Sequence, residues 1–223
     1  MNPARRTEGR ETSVVMVQGW EDSIVTNSRS ARVLILMALA MALLVFAGNA
    51  HAEPYRHQRT GLLFPDPVNT LKLVRATDYE PLYAGLGTGI SYRTDTMRAD
   101  IFLYDLTQGP IPEGVSSQVV SKEFDQALQD IYSLETQGTY RNVSVIVRKE
   151  MVPVGDRLTF FHGLLAYEQN NIKLISHLYL TGCRGLFMKL RITYFKDAQA
   201  REEPSLAAFL AMISDITKPS SKP

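Results

Sequence analysis

The chain reads as a single α+β domain: a largely antiparallel β-sheet of about six strands, ending in a C-terminal meander, packed by two main helices. Three observations carry this reading. From Val143 onward, runs rich in β-branched and aromatic residues alternate with short turns at Gly155-Asp156, Asn170-Asn171 and Gly182-Cys183-Arg184-Gly185, the punctuation of successive hairpins. Apolar residues recur at spacings of three and four after Ser117 and again after Pro204, the period of amphipathic helices. Of the 223 residues, 45% are hydrophobic and 21% charged, which supplies a core of ordinary globular size.

Taken in order, a polar lead over 53–60 precedes short extended segments at Leu62 to Phe64 and Leu71 to Thr77, divided by Pro65-Asp66-Pro67. Strands follow at Gly89 to Arg93 and Ala99 to Leu106. In the second of these Ala99, Ile101 and Leu103 occupy one parity and Phe102, Tyr104 and Leu106 the other, so the strand is expected to be central and covered on both sides. Ser116 or Ser117 then caps a helix whose stripe is Val120, Phe124, Ala127, Leu128, Ile131 and Leu134, ending near Gly138. The second helix opens at Pro204-Ser205 and carries Leu206, Phe209, Leu210, Ile213 and Ile216. The globular domain spans 61–217, and 218–223 is a frayed tail.

The register of the meander follows from its turns. A two-residue Asn170-Asn171 turn sets Glu168 opposite Lys173 and puts Phe161, Leu165 and Tyr167 on the face of Leu174, Leu178 and Leu180. Pairing Leu180 with Leu186 continues that face through Met188, Leu190 and Ile192. The second face then gathers His162 opposite Tyr179 and His177 opposite Lys189, beside Arg191 and Thr193.

Ahead of this domain, Arg29 and Arg32 precede the apolar run Val33 to Ala47, and Ala50-His51-Ala52 supplies small residues at minus three and minus one. That is the layout of a secretory signal, with 1–32 as extension and n-region, 33–52 as h- and c-region, and cleavage after Ala52. An uncleaved inner-membrane anchor over 33–52 is the alternative, although the run is shorter than the roughly 20 residues of a spanning helix. Residues 1–28 are longer and more mixed than a compact n-region, which points to Met16 as an alternative start, and no adjacent arginine pair stands at the apolar run. Export by the general secretory route to the periplasm or beyond is therefore expected, with no stable membrane insertion once the signal is removed.

The formal charge of +1, from 24 basic and 23 acidic residues, leaves no basic field for nucleic acid. The loop Gly85-Leu86-Gly87-Thr88-Gly89 has the wrong glycine spacing for a dinucleotide fingerprint and feeds a strand instead of a helix. His162, His177, Tyr179, Lys189 and Arg191 are the candidate binding residues: histidine as acid or base, the cations holding an anion. No carboxylate is placed by sequence to orient either imidazole, and two histidines on adjacent strands make no metal site. Cys183, the only cysteine, sits beside Arg184 at a hairpin tip, where a cation would favour the thiolate. No catalytic set, cofactor or metal is expected.

The succession GLGTGISY, ADIFLYDL, the IPEG loop, EFDQALQDIY and LYLTGCRGLFMKLRITY before a final helix resembles an uncharacterised family of small exported bacterial proteins. In outline it also resembles the MOG1/PsbP-like α/β sandwich. The resemblance implies an antiparallel sheet between helices and a binding or accessory role, and transfers no functional residue. The expected function is thus an exported, non-enzymatic accessory or binding protein whose partner is another envelope protein or a small ligand. The alternative is a small periplasmic enzyme or anion-binding protein using the five residues above.

Overall fold

Alternating β-branched and aromatic residues do become strands in the computed structural model, which describes residues 53–156 and 158–218. The strands are β1 (Tyr55–Arg56), β2 (Leu63–Phe64), β3 (Lys72–Asp78), β4 (Thr88–Arg93), β5 (Met97–Tyr104), β6 (Arg141–Val154), β7 (Leu158–Gln169), β8 (Ile172–Cys183) and β9 (Leu186–Phe195). The helices are α1 (Gln118–Thr136) and α2 (Gln199–Thr217), the latter entered through a single 3-10 turn, Lys196–Ala198. β1 and β2 form a small hairpin, and the other seven strands form one antiparallel sheet in the order β3-β4-β5-β9-β8-β7-β6. The described residues lie within one compact unit, Asn49–Pro223. The signal segment expected over 33–52 lies outside the described residues. Among the described residues no helix is long and apolar enough to cross a membrane.

α1 begins where expected, because the Ser117 hydroxyl accepts from the Val119 amide at 3.2 Å and so satisfies one of the donors that a helix start leaves open. It ends at Thr136, and Gly138 just beyond, with φ of +77°, turns the chain away from the helix axis. The stripe Val120, Phe124, Ala127, Leu128 and Ile131 is buried, and Phe124 meets Phe161 of β7 with ring centroids 5.7 Å apart. α2 closes the opposite face, where Phe209 packs edge-on to Tyr92 of β4 at 5.7 Å. Burying rings of this size is worth roughly 2–3 kcal/mol each. α2 starts five residues earlier than Pro204, which lies inside it, since the polar segment from Gln199 completes the first turn. Residues 53–60, expected as a flexible lead, contain β1, and His57 there is buried.

The β7–β8 hairpin has the expected register: Asn170 and Asn171 both take positive φ, Glu168 faces Lys173, and His162 faces Tyr179. The β8–β9 hairpin does not. Its turn is the two-residue pair Arg184-Gly185, with φ of +52° and +78°, the dihedral pattern that tight antiparallel hairpins favour. Cys183 therefore pairs with Leu186, Leu180 with Lys189, and His177 with Ile192. An odd shift of pairing turns a strand over. Leu186, Met188, Leu190, Ile192 and Tyr194 consequently face α2 and the buried cluster around Ile101 and Phe209, while Phe187, Lys189, Arg191 and Thr193 face the α1 side. The loop before α1 locks this turn: the Arg184 amide donates to Glu113 at 2.5 Å, and a Cβ on Gly182 would stand 1.8 Å from the Pro112 carbonyl oxygen. Only glycine fits there.

Candidate functional site

On the α2 side, four adjacent strands each contribute one polar group to a continuous chain. His162 on β7 and Glu150 on the edge strand β6 are direct cross-strand partners, and the Nδ1–H of His162 donates to Glu150 Oε1 at 2.8 Å. With both rings neutral, His177 Nδ1–H donates to His162 Nε2 at 3.1 Å, and the Tyr194 hydroxyl donates to His177 Nε2 at 3.0 Å. Tyr179 stacks on His162 with centroids 4.4 Å apart. Burial, and next the neighbouring His162, push His177 down to about 4, so it is neutral at neutral pH. Burial pushes the Tyr179 hydroxyl up to about 12.

This arrangement leaves no imidazole nitrogen of the two histidines directed outward. A general base needs a ring nitrogen directed at a substrate; here all four imidazole nitrogens are engaged within the chain. Satisfied buried networks of this kind fix a unique core packing. Glu150, half exposed on the edge strand, is the group that meets solvent.

On the α1 side the sheet carries a different polar set. Lys189 Nζ lies over the rings of Phe102 and Tyr104 at 5.3 and 5.0 Å. Burial pulls its pKa below the usual lysine value, against the opposing pull of Glu123 and Asp130. Arg191 donates through Nε to Ser176 Oγ at 2.6 Å and through Nη2 to the Tyr167 hydroxyl at 3.3 Å. Beside it in the sheet, Asp100 accepts from Ser91 Oγ and from Arg98 Nε, both at 2.5 Å. Arg98 and Asp100 are 4% and 3% exposed.

The five candidate binding residues are therefore divided between the two faces. His162, His177 and Tyr179 remain together, and Lys189 and Arg191 lie on the other side of the sheet, because the tight Arg184-Gly185 turn inverts β9. Cys183 is not at an open tip. It is buried, and burial first, then Glu113, push its thiol up to about 12 despite Arg184, which leaves little thiolate at neutral pH. The glycine loop is likewise occupied from within the chain. The Gly85 and Gly87 amides donate to the two carboxylate oxygens of Glu80, each at 2.9 Å, where an external anion would otherwise be cradled.

The sequence reading passed over Glu150, Tyr194, Arg98 and Asp100. The first two are invisible until β6 is paired with β7 and β9 is inverted. For the others a signal existed: in Arg98-Ala99-Asp100-Ile101 the charged residues share one parity and the apolar ones the other, which marks a strand with one polar face.

Among the described residues, no three His, Cys, Asp or Glu side chains are gathered to hold a metal ion. No protein-family model matches the chain, and no curated protein does. Among solved structures the chain is similar to cyanobacterial PsbP (CyanoP) from Synechocystis sp. PCC 6803, in solution, at 13% identity. The likeness covers 75% of this chain and 95% of that one with a TM-score of 0.45.

Proposed function

We propose that the protein is an exported accessory or binding protein that catalyses no reaction, and that it binds through the edge strand β3 of the sheet, beyond α1. The observation that carries this reading is the closed hydrogen-bond chain from Glu150 to Tyr194, which uses both nitrogens of His162 and of His177. Acid–base groups committed to one another in a packed sandwich do structural work. α1 packs on β6, β7 and β8, and at the far end of the sheet the edge strand β3 presents Lys72 to solvent. Export rests on the sequence pattern over 29–52, with the segment removed after Ala52.

The test is a photoreactive amino acid placed at Lys72, on the exposed end of β3, in the full chain expressed in its native host. A single specific adduct is expected from Lys72, and none from Gln126 on the outer side of α1. Turnover of a substrate that is lost in His177→Gln would sink the proposal, as would the absence of any adduct from Lys72.

A further inference from the structure

The chain from Glu150 to Tyr194 has a direction. With both rings neutral each group donates to the next: Tyr194 to His177, His177 to His162, and His162 to the half-exposed carboxylate of Glu150. A neutral imidazole has one N–H and one acceptor nitrogen, so neither ring can change its proton without changing its neighbour. Packing holds the rings in place: Tyr179 stacks on both, with centroids 4.4 Å from His162 and 6.0 Å from His177 and planes inclined by 24° and 3°. The two histidines differ in what faces them. His162 has the Glu150 carboxylate on Nδ1 to balance a positive ring. His177 faces His162, Tyr179 and Tyr194, none of them a carboxylate, and burial and His162 push it down to about 4. From α2, Glu203 acts on the Tyr194 hydroxyl. A proton entering the chain therefore settles on His162, and a second on His177 is repelled across the 3.1 Å between the ring nitrogens.

We propose that this chain is a one-proton switch, in which uptake of a proton at His162 reverses the hydrogen bonds joining His162, His177 and Tyr194 and so couples the edge strand β6 to β9, on which α2 packs. In the starting state both histidines carry their proton on Nδ1. The entering proton occupies His162 Nε2, which turns from acceptor to donor towards His177 Nδ1. His177 gives up its Nδ1 proton and holds a single proton on Nε2 instead, and the Tyr194 oxygen turns from donor to acceptor. One proton is gained: His162 becomes an imidazolium and His177 stays neutral. At one end the contact between Glu150 and His162 becomes an ion pair that fastens β6 to β7 on acidification. At the other end the Tyr194 hydroxyl proton no longer points at His177. Protonation of paired histidines at mildly acidic pH is a general means of biasing a fold. The switch goes beyond the assignment of β3 as the binding surface and does not depend on it.

The test is nitrogen-15 NMR of the imidazole rings in the full chain, titrated from pH 8 to pH 5, where the shift of each ring nitrogen reports whether it carries a proton. His162 should gain its second proton, and at the same midpoint His177 should exchange Nδ1–H for Nε2–H while remaining neutral. Glu150→Gln should move both changes together to lower pH, by about one unit or more, because the balancing carboxylate is gone. Tyr194→Phe, which leaves the contacts of His162 itself in place, should also lower the midpoint, since the reversed His177 loses its acceptor. The amide spectrum of each variant at pH 8 reports whether its fold is kept, and the titration of the parent chain decides the matter without either. A His177 that holds Nε2–H already at pH 8, that keeps Nδ1–H while His162 charges, or that takes the first proton overturns the switch. So do two changes at separate midpoints, a His162 still neutral at pH 5, or a midpoint that either folded variant leaves unmoved or raises. The Lys72 adduct reports on the binding surface alone, so the two readings fail separately.

Discussion

At the scale of single residues, the half-buried imidazole of His177 makes stability depend on pH in one direction. Its pKa is pushed from 6.5 to about 4 by burial and by His162, so the unfolded chain takes up a proton there that the folded chain refuses. The stabilisation is complete above the unfolded value and is lost as pH falls from about 6.5 to about 4, a change of roughly 3 kcal/mol. The groups facing the ring are His162, Tyr179 and Tyr194, with Glu150 at the end of the chain. Urea unfolding at pH 7 and pH 4.5 should show a smaller loss for His177→Gln than for the parent chain; equal losses would mean that His177 carries no such linkage. Gly87 is the second residue-scale case. Its φ is +58°, and a Cβ there would stand 1.9 Å from the Leu103 carbonyl oxygen. Gly87→Val should cost about 3 kcal/mol or more of stability, read by the same unfolding experiment. ATP or NAD binding lost at unchanged stability would return the loop to nucleotide chemistry, against the Glu80 carboxylate that now fills its amides.

At the scale of elements, two tight turns of the same kind were legible to different degrees. Asn170-Asn171 announces itself, because asparagine tolerates positive φ and both flanking runs alternate cleanly. Gly182-Cys183-Arg184-Gly185 offers two glycines, and the sequence does not say which one makes the turn. The answer depends on a distant contact, the approach of the Pro112 carbonyl to Gly182, which reserves the first glycine for packing and leaves Arg184-Gly185 to turn the chain. That single choice moves Lys189 and Arg191 from the histidine face to the α1 face. Cross-strand proton contacts in the full chain should pair Leu178 with Arg191 and His177 with Ile192. Contacts pairing His177 with Lys189 would restore the register expected from the leucine pattern and reunite the five polar residues. β6 was legible as a strand and opaque as an edge: its three register shifts against β7 twist a long exposed border away from further pairing, and they also bring Glu150 to His162.

At the scale of the whole molecule, the α+β class, both helices and every strand of the meander follow from local periodicity, so they were readable along the chain. The site was not, since it is a property of which face each strand shows. Apolar residues fix that choice on the α2 side, where Tyr92, Ile101, Leu190 and Phe209 close the core, and Arg98 and Asp100 on β5 and Lys189 and Arg191 on the inverted β9 then fall on the other side. The two faces have different characters: one commits its polar groups to a closed hydrogen-bond chain, the other sets Lys189 near Glu123 and Asp130 and pairs Arg98 with Asp100. This division predicts that substitutions in the histidine chain and binding through the β3 edge separate. The most direct measurement is the yield of the Lys72 photo-adduct in the native host, compared in the parent chain and in His177→Gln. Binding away from the histidine chain predicts that His177→Gln keeps the adduct. An adduct that disappears with His177→Gln would contradict the account.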